Sequence, residues 1–186
     1  AQRAAYVERR FKEEGLRDVF TDSLHNVYAR IKGGKGPCIV VSAHLDTVFD
    51  QACDLSITRG ENQVRGPGIG DNSLGVAFLI RMKQILDSLN AVPEGDILLV
   101  ANVGEEGTGD LKGMKAVVER TQEENPLAYL VLEGSSGSRT LYTKGVGSRR
   151  YKVTARGRGG HSWNDFGHSS AIHGLVRLAA DLTELS

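Results

Sequence analysis

The chain has 186 residues, enough for one domain with a sizeable core, or one domain and part of a second. Lysine plus arginine and aspartate plus glutamate both number 23, so the formal net charge is zero and there is no electrostatic case for a nucleic-acid or membrane-surface partner. Hydrophobic residues make up 40% of the chain, yet no apolar run approaches the roughly 20 residues of a membrane span.

In chain order, RAAYVERRFKEEG reads as a helix ended by Gly15. NVYARI and CIVVSAH read as strands separated by the turn KGGKGP, and the second is apolar enough to be buried on both faces. LSITRGENQVRGPG reads as a hairpin turning near Gly60, Glu61 and Asn62. In DNSLGVAFLIRMKQILDSLN, the residues Gly75, Phe78, Leu79, Met82, Ile85, Leu86 and Leu89 fall on one helical stripe, and Asn72 or Ser73 suits the N-cap. DILLVANV predicts a buried strand, DLKGMKAVVERT a helix and LAYLVLEG another buried strand. Near residue 145 the composition turns Gly-rich and basic, with an alternating strand in RYKVTA and then a helix in SAIHGLVRLAADLTEL.

Alternating helices and apolar strands predict a three-layer α/β/α domain with a mostly parallel central sheet over residues 1–145, with a smaller second unit opening at 146–186. In such sheets functional groups gather at the carboxyl ends of the strands. His44 and Asp46 follow the first buried strand, and Asp71 precedes the long helix. Glu105 and Glu106 follow DILLVANV, and Glu133 follows YLVL. Each has an ordinary alternative: a solvated histidine beside a loop aspartate, a helix cap at Asp71, loop charges at the three glutamates. Together they form a set of metal-ligand types on one rim. Residues i and i+2 on a strand face the same side, so Asp46 can orient the His44 imidazole. Adjacent carboxylates are tolerable beside a dication, and their side chains diverge, so Glu105 and Glu106 can take different roles. The glycines at 66, 68 and 70 lack the following lysine of a phosphate loop. A magnesium site for phosphoryl chemistry is disfavoured by His44, since imidazole suits zinc better.

The ordered motifs SAHLDTV, GPGIGDNSLGVA, GEEGTGDLKGM, LEG and GRGGHSW resemble a di-zinc metallopeptidase family that includes glutamate carboxypeptidase, peptidase T, aminoacylase and succinyl-diaminopimelate desuccinylase. The resemblance implies a zinc-peptidase-like catalytic domain at 1–145 and the start of an α+β lid or dimerisation domain at 146–186. It implies two Zn²⁺ ions per complete site, with Co²⁺ or Mn²⁺ as substitutes. His44 and Glu133 would bind one zinc, Asp71 would bridge both, and Glu106 would bind the second. Glu105 would be the general base, Asp46 the carboxylate orienting His44, and His161 a substrate contact from the lid. The implied reaction is hydrolysis of an amide in a small peptide or N-acyl amino acid, by an exopeptidase or deacylase that forms a homodimer through the lid.

The family carries a further histidine ligand downstream, and this sequence offers only His168 and His173 in the lid segment, where helix surface is expected. The chain therefore reads as a fragment lacking the rest of the lid and the final catalytic segment, inactive on its own. The alternative is a degenerate relative that binds metal or peptide without turnover; a retained Glu105 favours the enzyme. Cys38 and Cys53 form no framework or CxxC pair, and the first residues hold no signal-peptide apolar stretch, so the expected setting is cytoplasmic.

Overall fold

The computed structural model describes residues 1–134 and 139–185. The chain divides into two compact units, Ala1–Leu141 and Tyr142–Ser186.

The first unit opens with α1 (Gln2–Glu13), β1 (Arg17–Thr21), β2 (Val27–Ile31) and β3 (Gly36–His44). The hairpin β4 (Thr58–Arg59) and β5 (Val64–Arg65) follows, closed by the Gly60 N–H donating to the Gln63 carbonyl at 2.8 Å. Then come α2 (Leu74–Ser88), β6 (Gly95–Asn102), α3 (Lys112–Thr121) and β7 (Ala128–Val131). The main sheet has the order β1-β2-β6-β3-β7. β3 runs parallel to β6 and β7, whereas β1–β2 and β2–β6 are antiparallel. The sheet is thus mixed rather than mostly parallel. β1 was not foreseen; the charged pair Arg17-Asp18 at its start hides a five-residue edge strand in RDVFT.

Alternation along the strands builds a core on each face. Val27, Ala29, Val41, Ala43, Leu99 and Ala101 pack with Val7 and Phe11 of α1 and Leu79 of α2. Tyr28, Val40, Leu98 and Val100 face the other way, against Val117 of α3. Both faces of β3 and β6 are covered, which is why these strands read as continuous apolar runs.

α2 is rotated from its expected phase. Gly75, Val76, Leu79, Ile80 and Met82 are buried, while Phe78, Ile85 and Leu89 are exposed. Gly75 itself faces the sheet as expected, so closely that a Cβ there would collide with Asn72 Oδ1 and stand 3.1 Å from the Ala43 Cβ. β7 also differs from expectation: Leu130 and Val131 are exposed because, among the described residues, it is a sheet edge paired only with β3.

In the second unit α4 (Ala171–Thr183) forms where expected, with the Ser170 hydroxyl accepting from the His173 N–H at 3.3 Å. The strand expected in RYKVTA is absent: residues 150–155 lie in irregular backbone. An alternating segment becomes a strand only when a ladder partner is supplied, and none pairs with it among the described residues. No helix among the described residues is long and apolar enough to cross a membrane. Cys38 is buried, Cys53 exposed, and both are free.

Candidate metal centre

Three parallel strands deliver side chains to one edge. His44 is the last residue of β3 and pairs with Asn102, the last of β6. Glu105 and Glu106 lie three and four residues beyond β6, and Glu133 two beyond β7. Asp71 comes from the irregular turn Ile69–Ser73 that leads into α2.

His44 is almost fully buried, and its two ring nitrogens face different environments. Nδ1 lies 3.0 Å from the Asp46 backbone carbonyl, which can only accept. That contact puts the proton on Nδ1 and leaves the Nε2 lone pair facing outward. Nε2 lies 2.8 Å from Asp71 Oδ1, 3.8 Å from Glu133 Oε2 and 3.9 Å from Glu105 Oε2. A lone pair against three acceptor groups repels unless a cation or proton stands between them. Ligand atoms of His44, Asp71 and Glu133 lie within 4.8 Å of one another, as do those of His44, Glu105 and Glu106. Imidazole nitrogen with carboxylate oxygen is a donor set that suits zinc, so the residues present fit such an ion.

The electrostatics agree. Burial pushes the Glu106 carboxyl up from its ordinary value, and Asp71 and Glu105 add to the rise. Glu133 is also raised, first by burial, with Glu105, Asp71 and Glu106 adding and His44 opposing. A bound dication would reverse the cost of holding these groups as anions.

Asp46 acts differently from the expectation that its carboxylate bonds His44. Its carbonyl takes the imidazole, while its Oδ1 stands 3.8 Å from Nδ1 and has no hydrogen-bond partner among the described residues. Its Oδ2 accepts the Glu106 N–H at 2.9 Å, tying the glutamate loop to the end of β3. That loop needs its glycines: Gly104 and Gly107 have φ of 73° and 59°.

Asn72 is fully buried and does more than cap a helix. Its Oδ1 accepts the Gly75 N–H at 3.1 Å, and its Nδ2 donates to the Leu132 carbonyl at 2.7 Å. It therefore ties the turn bearing Asp71 to the segment bearing Glu133. Sequence reading found the cap, from asparagine beside a helix start, but not the link to Leu132, which spans 60 residues.

His161 lies in the second unit. Its Nδ1 accepts from the Trp163 N–H at 3.3 Å, so Nε2 carries the proton, and its own backbone N–H donates to Asp165 Oδ2 at 2.8 Å. His168 Nδ1 stands 3.7 Å from Asp165 Oδ1, and His173 is exposed on α4. Neither belongs to a cation-sized cluster among the described residues.

Comparison with known proteins accords with this arrangement. A probable carboxypeptidase of Aspergillus flavus is 28% identical over 169 residues, spanning 86% of this chain and 40% of that protein. A probable succinyl-diaminopimelate desuccinylase of Staphylococcus aureus is 27% identical over 159 residues, 82% of this chain and 38% of that one. The chain thus spans about 40% of the length of these curated relatives. The crystal structure of the aminopeptidase PepT from Bacillus cereus shares the fold with a TM-score of 0.55 at 22% identity, over 69% of this chain and 36% of that one. The family model described as peptidase family M28 matches residues 26–160, well over half of the sequence. With that match, and with the histidine and carboxylates gathered at the strand ends, the chain belongs to peptidase family M28.

Proposed function

We propose that this chain carries the metal-binding part of a zinc-dependent amidohydrolase acting on a small peptide or N-acyl amino acid. The observation that carries the reading is the buried His44 Nε2 lone pair ringed by Asp71, Glu105 and Glu133. In this reading His44, Glu133 and Asp71 would hold one zinc, and Asp71 and Glu106 would hold a second. Bound zinc supplies Lewis-acid polarisation of the scissile carbonyl and acidification of water; Co²⁺ or Mn²⁺ would substitute.

The chain's own residues do the rest. Asp46 fixes the His44 tautomer through its carbonyl and the Glu106 backbone through its carboxylate. Glu105 stands beside His44 Nε2 without a hydrogen bond to it, free to take a proton from the attacking water at its carboxylate oxygen. It returns that proton to the leaving amine as the C–N bond breaks, a contribution of about 10²–10⁴-fold. His161, with its Nε2–H exposed as a donor, is assigned to substrate contact. The segment 146–186 is assigned to the start of a lid through which the protein pairs as a homodimer, and the cysteine pattern suits a cytoplasmic setting.

Paired substitutions test the division of labour between the two glutamates. In a turnover-competent form of the protein, Glu105→Gln is expected to keep zinc stoichiometry and lose nearly all amide hydrolysis. Glu106→Gln is expected to lower zinc occupancy. Zinc loss in Glu105→Gln together with retention in Glu106→Gln would reverse the assignment. A second reading, binding without turnover, draws on one observation: His44 is the single histidine in the described cation-sized clusters. Metal retention with no hydrolysis of any dipeptide or N-acyl amino acid would favour it.

A further inference from the structure

We infer that Asn26 is a positioning residue for the two site glutamates, clamping both ends of the loop that carries them; this rests on the metallohydrolase reading above. Asn26 is fully buried, just before β2. The β2–β6 ladder has Val27 opposite Ala101 as its last pair toward the site. Beyond it the Asn26 side chain continues the pairing in place of backbone. Its Oδ1 accepts the Val103 N–H at 3.0 Å, and its Nδ2 donates to the Gly113 carbonyl at 3.2 Å. Val103 and Gly113 are the two ends of the glutamate loop, and the Gly113 N–H donates to the Val103 carbonyl at 3.1 Å. One amide thus holds the loop shut at its neck.

Asn26 is itself fixed from behind. Asp22 Oδ2 accepts its Nδ2 at 2.8 Å, and Asp22 Oδ1 accepts its backbone N–H at 2.9 Å. Both amide protons and the oxygen are therefore engaged, and only a side chain with donor and acceptor in this geometry serves. The loop needs restraint from outside: Asp110 and Leu111 adopt φ of 55° and 53°, a region that non-glycine residues hold only when their surroundings enforce it. The remaining side-chain tie to Glu106 comes from Asp46, at the other side of the loop. None of the Asn26 atoms meets a proposed ligand, so its effect passes through the backbone. Partners of this indirect kind alter metal affinity or activity by about 10–100-fold when removed.

The test compares Asn26→Ala with Val7→Ala, a core change in α1 away from the loop, in the full chain. Backbone amide exchange is followed across the first unit, and Zn²⁺ is titrated calorimetrically. Asn26→Ala is expected to speed exchange at Val103, Glu106 and Gly109 at least about tenfold more than Val7→Ala does. The weaker zinc event, assigned to Glu106, is expected to weaken about 10–100-fold while the firmer one moves less than about threefold. Gly113→Ala gives a second route should Asn26→Ala fold poorly. Its Cβ would meet the Val103 carbonyl oxygen first and Asn26 Oδ1 next, at 2.5 Å, prising the neck apart without removing a polar group, and the same pattern is expected. Loop exchange no faster than in Val7→Ala, or both zinc events shifting together, would overturn the inference. If the unsubstituted chain binds no zinc, the metallohydrolase reading fails, while the exchange data still decide the clamp.

Discussion

At His44 one ring nitrogen is committed to the Asp46 carbonyl and the other is left to the carboxylates. The second arrangement depends on Asn72, which fixes the approach of two of them. Asn72→Ala would leave the buried Gly75 N–H and the half-buried Leu132 carbonyl without this partner. The expected cost is about 1–3 kcal/mol, the penalty of a buried polar group left unpaired. Denaturant melts should show it as a lowered midpoint with unchanged slope. Zinc affinity should fall as well, by about 10–100-fold, because Asp71 and Glu133 lose their common anchor. A variant as stable and as zinc-avid as the parent would show that Asn72 only caps a helix. The carboxylates drew notice in the sequence because Asp46, Glu105, Glu106 and Glu133 follow apolar runs and Asp71 stands just before a helix. Spacing could not tell whether Asp46 meets His44 by side chain or main chain, since both oxygens lie within reach of the same nitrogen. Asn26 and Asn72 escaped as anchors because their partners lie 77–87 and 60 residues away.

Among the elements, the turn from β1 to β2 is held by one carboxylate. Asp22 Oδ1 accepts from the Leu24 and Asn26 N–H groups, and Oδ2 accepts from Asn26 Nδ2 and the Tyr28 hydroxyl. Burial first, then the Asp22 charge, pushes the Tyr28 phenol up to about 12. The native state therefore prefers the protonated phenol. Its contribution is fully present below the unfolded value of about 10 and is lost as pH rises through about 12. Unfolding free energy should drop by about 1–3 kcal/mol across that window in the parent, beyond any drop seen in Tyr28→Phe. Parallel alkaline profiles for the two proteins would contradict this. Element identity was readable for α1, β2, β3, α2, β6, α3, β7 and α4, where periodicity is strong. Neither the phase of α2 nor the edge position of β7 was readable. Both follow from tertiary packing, of Val76 and Ile80 into the core and of the strands into their order, that leaves no mark on local pattern. The missing strand in RYKVTA has the same origin, since alternation supplies a face and not a partner.

At the scale of the molecule, the first unit has two helices on one face and one on the other of a mixed sheet whose parallel strands end at a shared rim. Zero net charge is compatible with this because the charges are placed locally: five carboxylates crowd one rim around one buried imidazole. The first proposed ion gains a histidine nitrogen, while Glu106 and the bridging Asp71 offer only carboxylates to the second. A site with two carboxylate residues should hold zinc more loosely than one with three protein ligands. Equilibrium dialysis of the 186-residue chain against zinc, followed by metal analysis, measures this directly, with His44→Ala alongside. The account predicts one firmly held zinc per chain, lost in His44→Ala. No bound zinc, an equal amount in His44→Ala, or two zincs held equally firmly would contradict it.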